Sequence, residues 1–211
     1  MSDLPSYTDA AIRVECPETA TVARRNARMT DPGGVDPRPL IGEPLALDLL
    51  NTRWFRGTPH DLLESPAGLR IWLTSTGFPH ADSGEAAHRA VLTARDAIAG
   101  VIATPDAPDA QDALNAVLDR GRLRRALSPS GPVTSPETAT PEWAVAWAAC
   151  ENYLSLVERA ADRIRRCEGD HCVLYFFDTS RNGTRRWCSM AICGNRAKAQ
   201  RHYRKGKLPP R

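Results

Sequence analysis

The apolar positions between residues 65 and 120 recur at the spacing of α-helices. Ser65 followed by Pro66 is typical of a helix cap with proline at the first helical position, and Gly77 is a typical helix terminator. Further helices are predicted over residues 83–103 and 109–120, each with one apolar face. This part of the chain is therefore expected to pack as helices around a core.

The secondary structure on either side of this region is less clear from the sequence pattern. Leu45, Leu47 and Leu49 alternate with other residues, which favours a strand, although a helical turn is an alternative. Serine, proline and glycine over residues 123–138 indicate a loop or a small hairpin. A long helix is expected to begin near Thr140 and to carry apolar residues as far as Ile164, running directly into the cysteine-rich end of the chain.

Residues 1–39 are rich in proline, threonine, aspartate and arginine and show no sustained periodicity. We predict that they form a flexible N-terminal extension. The rest divides into a domain over residues 40–158 and a second one over residues 159–211.

The charge distribution supports this division. The net charge of +3 combines −7 over residues 1–158 with +10 over residues 159–211. An acidic body joined to a basic module is typical of a protein that binds a polyanion, although a solvated basic face is an alternative.

The composition indicates in which cellular compartment the protein is expected. A hydrophobic fraction of 42% is enough for a packed core, and no apolar run is long enough to span a membrane. The first 20 residues lack the apolar stretch of a signal peptide. We therefore expect a cytoplasmic protein with reduced thiols.

Four cysteines form two Cys-x4-Cys pairs, Cys167 with Cys172 and Cys188 with Cys193, separated by 15 residues. Thiolates at such spacing are typical ligands of a tetrahedral structural zinc ion. The insert reads as a hairpin, with a strand over residues 173–177 and a return strand over residues 185–187. We predict one zinc per chain.

Other interpretations of the cysteines are two disulfides or an iron–sulfur cluster. A catalytic zinc needs an open coordination position, which four thiolates do not leave. His171 adjoins Cys172 and could replace a ligand. Cys16 and Cys150 are interpreted as ordinary thiols.

A basic helix is predicted after the last cysteine. On a helical wheel, Ile192, Ala199 and Tyr203 share a face that could pack on the finger, and the opposite face is basic. Arg181 and Arg185 flank the predicted hairpin tip. The candidate DNA contacts are Arg181, Arg185, Arg186, Lys198, Arg201 and Lys205. Alternatively, arginines near the ligands support the zinc site instead: Arg165, Arg166, Arg186 and Arg196.

Four segments closely resemble the CGNR zinc finger, named for residues such as Cys193, Gly194, Asn195 and Arg196. They span residues 167–172, 177–182, 185–190 and 193–198. Residues 45–52, 61–63 and 69–73 look like the ABATE domain that precedes this finger. Two features depart from the family pattern: the acidic residues Glu168 and Asp170, and the extension over residues 1–39.

The resemblance implies an α+β fold that is mostly helical, with a mixed α/β ligand-sensing domain followed by a treble-clef-like finger. It also implies a bacterial, stress-induced transcription regulator that binds DNA and an unknown small molecule. Asp48 and Asn51, polar residues within an apolar run, are the candidate ligand-binding residues. Because one finger buries little area, specific binding is expected to need either a homodimer or a second protein.

Two other functions are alternatives. In the first, the zinc is purely structural and the module binds RNA or protein, with Tyr175, Phe176 and Trp187 stacking on bases if exposed. In the second, the N-terminal domain is an enzyme with Asp48, Asn51, Thr52, His60 and Asp61 in a pocket. No recognised catalytic motif is present, so we predict that the chain is not an enzyme.

Overall fold

The computed structural model describes residues 34–206, apart from the side chains of residues 201, 202 and 204–206. Its helices are α1 (Leu45–Leu50), α2 (Pro66–Ser75), α3 (Glu85–Ala103), α4 (Pro108–Leu118), α5 (Ala144–Ala160) and α6 (Asn195–Gly206). Its strands form antiparallel pairs: β1 (Arg53–Arg56) with β2 (Thr58–Asp61), β3 (Gly121–Ser128) with β4 (Gly131–Thr138), and β5 (Ile164–Arg166) with β6 (Tyr175–Phe177). The predicted α+β class, mostly helical, is confirmed.

The helices α1, α2, α3 and α5 enclose the main core, with α4 packed against α3 and α5. Its largest fully buried apolar side chains include Leu47, Leu69, Trp72 and Ile98. The predicted start of α2 is confirmed, since the Ser65 hydroxyl accepts the Gly68 N–H at 3.3 Å. Within the described residues, no helix has the length and apolar character needed to cross a bilayer.

The strand favoured for the first apolar run is wrong, because these residues form α1. Every residue from Ala46 to Leu50 is buried. A short segment enclosed on all sides shows neither strand nor helix periodicity, so alternation of leucines could not identify it.

The helix predicted to begin near Thr140 and to run directly into the zinc region is shorter than predicted. A 3-10 turn (Pro141–Trp143) precedes α5, and a second one (Ala161–Arg163) follows it. Ile164 then begins β5 and pairs with Phe177 of β6. The return strand predicted over residues 185–187 is not formed, although the Arg186 carbonyl accepts the Glu168 N–H at 2.9 Å.

Of the predicted extension, residues 1–33 lie outside the described part of the chain. The last residues before the domain contact it closely. Arg38 is buried, and its guanidinium donates to the carboxylates of Asp36 and Asp48 and to the Ser75 hydroxyl.

Candidate metal centre and its contact with the helical domain

The sulfur atoms of Cys167, Cys172, Cys188 and Cys193 lie within 4.8 Å of one another. The Cys188 sulfur is 3.7 Å from that of Cys193 and 3.9 Å from that of Cys172. Four sulfurs bound to a tetrahedral zinc at about 2.3 Å lie about 3.8 Å apart. The cluster therefore has the dimensions of a zinc tetrathiolate.

The cysteines are not arranged as disulfides. Each of the five cysteines in the described residues has a free thiol, and a disulfide needs sulfurs about 2.0 Å apart. Cys150 lies in the core on α5, where burial raises the pKa of its thiol to about 12. It takes no part in the cluster.

The four cysteines are close enough that each thiol shifts the pKa of its neighbours. Hydrogen bonds with Cys172 and Cys188 lower the pKa of Cys167 to about 2. The interaction with Cys167 raises the pKa of Cys188, and burial raises that of Cys193 to about 12. One thiolate therefore suppresses ionisation of its neighbours, and a divalent cation allows all four sulfurs to ionise.

The first ligand pair lies in the loop between β5 and β6. Cys167 donates its N–H to the Leu174 carbonyl at 2.9 Å, which closes this loop at its base. His171 adopts a positive φ of 60°, and its ring tilts against Phe55 of β1 at 5.7 Å. His171 is therefore occupied elsewhere and does not belong to the sulfur cluster. A Cβ at Gly169 would lie 2.9 Å from the Cys193 sulfur, so only glycine fits at this position.

The second ligand pair, Cys188 and Cys193, lies directly before α6. A π-helical turn (Met190–Gly194) follows Cys188, and the Ser189 carbonyl accepts the N–H groups of Cys193 and Gly194 at 3.0 Å. Backbone N–H groups also donate to the Cys167 sulfur, from Cys188 at 3.2 Å and from Gly169 at 3.4 Å. Such donors stabilise thiolate charge at a zinc site.

Several predicted DNA contacts have other partners. Arg185 donates from Nε to the Trp187 carbonyl at 3.0 Å, also contacts the Cys188 carbonyl, and stacks over Phe176 at 4.2 Å. Arg185 therefore holds the finger together. Arg186 is half-exposed and pairs with Glu168 at 2.5 Å.

Arg181 and Lys198 are exposed and have no hydrogen-bond or ion-pair partner within the described residues. The side chains of Arg201 and Lys205 lie outside the described part, so their contacts stay predictions. Of the predicted packing face, Ile192 is partly buried and packs against the core, whereas Ala199 is exposed and Tyr203 is 66% exposed.

Of the arginines predicted to support the zinc site, Arg196 approaches a ligand, with its Nη2 at 3.9 Å from the Cys193 sulfur. Arg163, which the sequence did not single out, donates to the carbonyls of Asp178 at 3.0 Å and Ser180 at 2.7 Å. Asp178 is buried, and its carboxylate accepts the N–H groups of Ser180 and Arg185 at 2.9 Å. Burial opposes ionisation of Asp178, but these hydrogen bonds outweigh it and lower its pKa.

The finger is attached to the helical domain by side chains near α1. Asn51 forms a two-point contact with the backbone of Tyr175: its Oδ1 accepts the Tyr175 N–H at 2.8 Å and its Nδ2 donates to the carbonyl at 2.9 Å. Glu43 accepts the Phe177 N–H at 3.0 Å and pairs with Arg185 at 3.4 Å. We call this contact, made by Glu43 and Asn51 with β6 and Arg185, the dock.

Asp48 and Asn51, predicted as ligand-binding residues, are both almost fully buried. One Asp48 oxygen accepts the Trp72 indole N–H at 3.0 Å and contacts Arg38, and the other accepts the Gly42 N–H at 2.8 Å. Both side chains are thus satisfied within the protein. The structure gives them an architectural role that their position in an apolar run did not reveal.

The remaining polar residues considered for an enzyme are also engaged. Asp61 forms a bidentate pair with the buried Arg95, which also donates to the Thr52 hydroxyl at 2.8 Å. His60 stacks on Trp54 at 5.1 Å. The Asp61–Arg95 pair joins the β1–β2 hairpin to α3, whereas the Trp54–His60 stack lies within the hairpin.

The fold and the cysteine cluster define a helical domain followed by a zinc finger. Residues 43–164 match the ABATE family model, described as "Putative stress-induced transcription regulator", and residues 163–206 match the CGNR zinc finger model. Since the first match covers more than half of the chain, the protein belongs to the ABATE family. No curated protein matches the chain.

These matches confirm the predicted order of the two regions and the predicted cofactor. The finger binds one structural zinc through its four cysteines. The chain is of the transcription-regulator type, and neither family description names an enzymatic activity.

Proposed function

We propose that this protein is a DNA-binding transcription regulator in which the zinc finger contacts DNA and the N-terminal domain senses a small-molecule ligand. The observation that carries the proposal is the distribution of unpaired cations on the finger. Arg163 and Arg185 are used internally, whereas Arg181 and Lys198 are exposed and unpaired within the described residues. Exposed cations on a folded scaffold are what phosphate binding requires.

The loop that carries Arg181 is held in shape before any partner binds. Asp178 accepts two backbone N–H groups at its base, and Arg163 donates to two of its carbonyls. A side chain on a fixed loop loses less entropy on binding than one on a flexible segment. This geometry favours Arg181 as a groove contact and Lys198 as a phosphate contact, with Arg201 and Lys205 further along the same helix.

The dock supplies a route from the N-terminal domain to the finger. Glu43 and Asn51 bond directly to the main chain of β6, which follows the first ligand pair. A ligand that displaces α1 would move the strand next to the zinc site. A homodimer would add a second finger and the contact area that one finger lacks.

The test is binding of a labelled DNA duplex to zinc-loaded protein across a salt series. Replacing Arg181 and Lys198 by alanine should weaken binding and flatten the dependence of log affinity on log salt by about 0.9 for each lost phosphate contact. The control is the double variant Arg70→Ala/Arg125→Ala, which removes the same charge from exposed positions on the helical domain. Equal behaviour of the two double variants would contradict the proposal.

The alternative is an RNA- or protein-binding module with a purely structural zinc. Base stacking by the finger aromatics has less support in the geometry, because Phe176 is fully buried and Arg186 lies over Trp187 at 5.3 Å. Competition of single-stranded RNA against the labelled duplex distinguishes the two functions. Preference for RNA would favour the alternative.

A further inference from the structure

The four zinc-binding thiolates are not equally covered by the protein. Cys167, Cys188 and Cys193 are buried, with 6%, 1% and 1% of their surface exposed, whereas Cys172 is only partly buried. The backbone of Gly169 lies against the sulfurs of Cys193 and Cys167. Cys172 is therefore the ligand most open to a molecule from solvent.

Hydrogen bonding separates Cys172 from Cys167 and Cys193 in the same direction, whereas Cys188, whose sulfur contacts in the described residues are also with sulfur, is set apart by its burial. The Cys167 sulfur accepts two backbone N–H groups, and the Arg196 guanidinium approaches the Cys193 sulfur. The contacts found for the Cys172 sulfur in the described residues are with the sulfurs of Cys188 and Cys167, and none is with a backbone N–H. A thiolate without N–H donors keeps more charge on sulfur and is the stronger nucleophile.

A cavity of about 630 Å³ opens onto this side of the zinc site. Phe55 of the helical domain and His171 of the finger line it, and two of the zinc ligands lie along it, Cys167 and Cys172. Of these two cysteines, Cys167 is the more buried. Its volume is in the range that accommodates small organic molecules. It lies at the seam between the two regions.

We propose that Cys172 is a modification site at which a soft carbon electrophile, such as an α,β-unsaturated carbonyl compound, alkylates a zinc-bound thiolate. The sulfur lone pair forms a bond to the β-carbon of the electrophile, and the π electrons move to the carbonyl oxygen. The resulting enolate takes a proton from water. The sulfur becomes a neutral thioether, a weaker ligand than a thiolate, so zinc held at this site would have three thiolate ligands instead of four.

The alkylated residue lies close to the dock along the chain. Leu174, whose carbonyl closes the ligand loop, lies two residues after Cys172. The next residue is Tyr175, whose N–H and carbonyl both bond to the Asn51 side chain. A weaker zinc–sulfur bond relaxes the restraint at the start of this segment. The modification would thus weaken the zinc site and loosen β6 together.

The experiment uses full-length, zinc-loaded protein carrying Cys16→Ser, so that this thiol does not consume reagent. Substoichiometric N-ethylmaleimide is added, adducts are mapped by peptide mass spectrometry, and released zinc is followed with a chromogenic chelator. We expect Cys172 to react at least about tenfold faster than the other three ligands, because reactivity follows thiolate access. Zinc release should track the Cys172 adduct, and the buried Cys150 should stay unmodified.

The variant Phe55→Ala tests the route through the cavity, since it removes a lining ring that is neither a ligand nor fully buried. It should raise the rate at Cys172 severalfold and leave Cys150 unchanged. First reaction at Cys167, Cys188 or Cys193, one rate shared by all four ligands, zinc release without a Cys172 adduct, or an unchanged rate in Phe55→Ala would each overturn the proposal. These readouts do not involve DNA, so they are independent of the proposed function.

Discussion

The helical domain and the zinc finger are stabilised by different means. The helical domain buries large apolar side chains such as Leu47, Leu69 and Trp72 between several helices. The finger buries few, among them Leu174 and Phe176, and surrounds them with cysteines and polar contacts. A region with little apolar burial needs another source of stability, and here the zinc and the dock supply it.

The largest effect is expected when the metal is removed. Cys188→Ser should abolish zinc binding and unfold the finger while α2, α3 and α5 stay folded, because structural zinc contributes about 10–16 kcal/mol of apparent binding free energy. Hydrogen exchange resolved by region, with zinc content by elemental analysis, measures this. Cys16→Ser is the matched control and should keep the zinc. Continued protection of the Tyr175 and Phe177 amides from hydrogen exchange without zinc would show that the finger does not depend on the metal for its stability.

A smaller effect, confined to the helical domain, is expected from Asp48→Ala. The change leaves the buried Arg38 without one of its carboxylate partners and should cost about 3–5 kcal/mol of unfolding free energy. Urea denaturation followed by tryptophan fluorescence measures it, and zinc content should not change. The control is Asp96→Ala, which removes an exposed pair with Arg53 and should cost less than about 1 kcal/mol. Similar losses in both variants would contradict the architectural role of Asp48.

The dock itself is tested by Asn51→Ala. The substitution leaves the Tyr175 N–H and carbonyl without these partners and should cost about 1–3 kcal/mol. Faster hydrogen exchange at Tyr175, with unchanged zinc content, is the expected signature. The control Asn115→Ala alters an exposed asparagine on α4. An unchanged exchange rate at Tyr175 would mean that the finger does not depend on this contact.

The smallest effect concerns Glu43 and pH. Burial raises the pKa of the Glu43 carboxyl above its ordinary value of 4.5, although the Phe177 N–H and Arg185 act in the opposite direction. A raised pKa means that the folded chain binds this proton more tightly. The stability that this raised pKa contributes is therefore complete below pH 4.5. It is lost as the pH rises through the pKa of Glu43 in the folded protein.

Glu43→Gln should remove this part of the pH dependence, so its stability should decline less than that of the parent as the pH rises from 4.5. Urea midpoints at saturating zinc, measured for both proteins at the same series of pH values, provide the comparison. Parallel pH profiles would indicate that Glu43 titrates as an ordinary carboxyl. Asp96→Asn, at an exposed position, serves as the control.

The features that depend on neighbouring residues were predictable from the sequence. The spacing of Cys167, Cys172, Cys188 and Cys193 indicated the zinc site, because the metal imposes its own geometry on whichever ligands are close enough. Helices α2, α3 and α4 followed from their apolar faces and, for α2, from the cap at Ser65.

The features that depend on distant partners were decided by the tertiary structure alone. Surrounding elements bury nearly all of the helix Leu45–Leu50, so its sequence lacks the periodicity that distinguishes helix from strand. The contacts of Asp48 with Trp72 and of Asn51 with Tyr175 could not be read from the sequence. Neither could the contacts of the Arg185 guanidinium with a backbone carbonyl and with Glu43. A sequence shows which groups require partners, but only the folded chain determines which partners they meet.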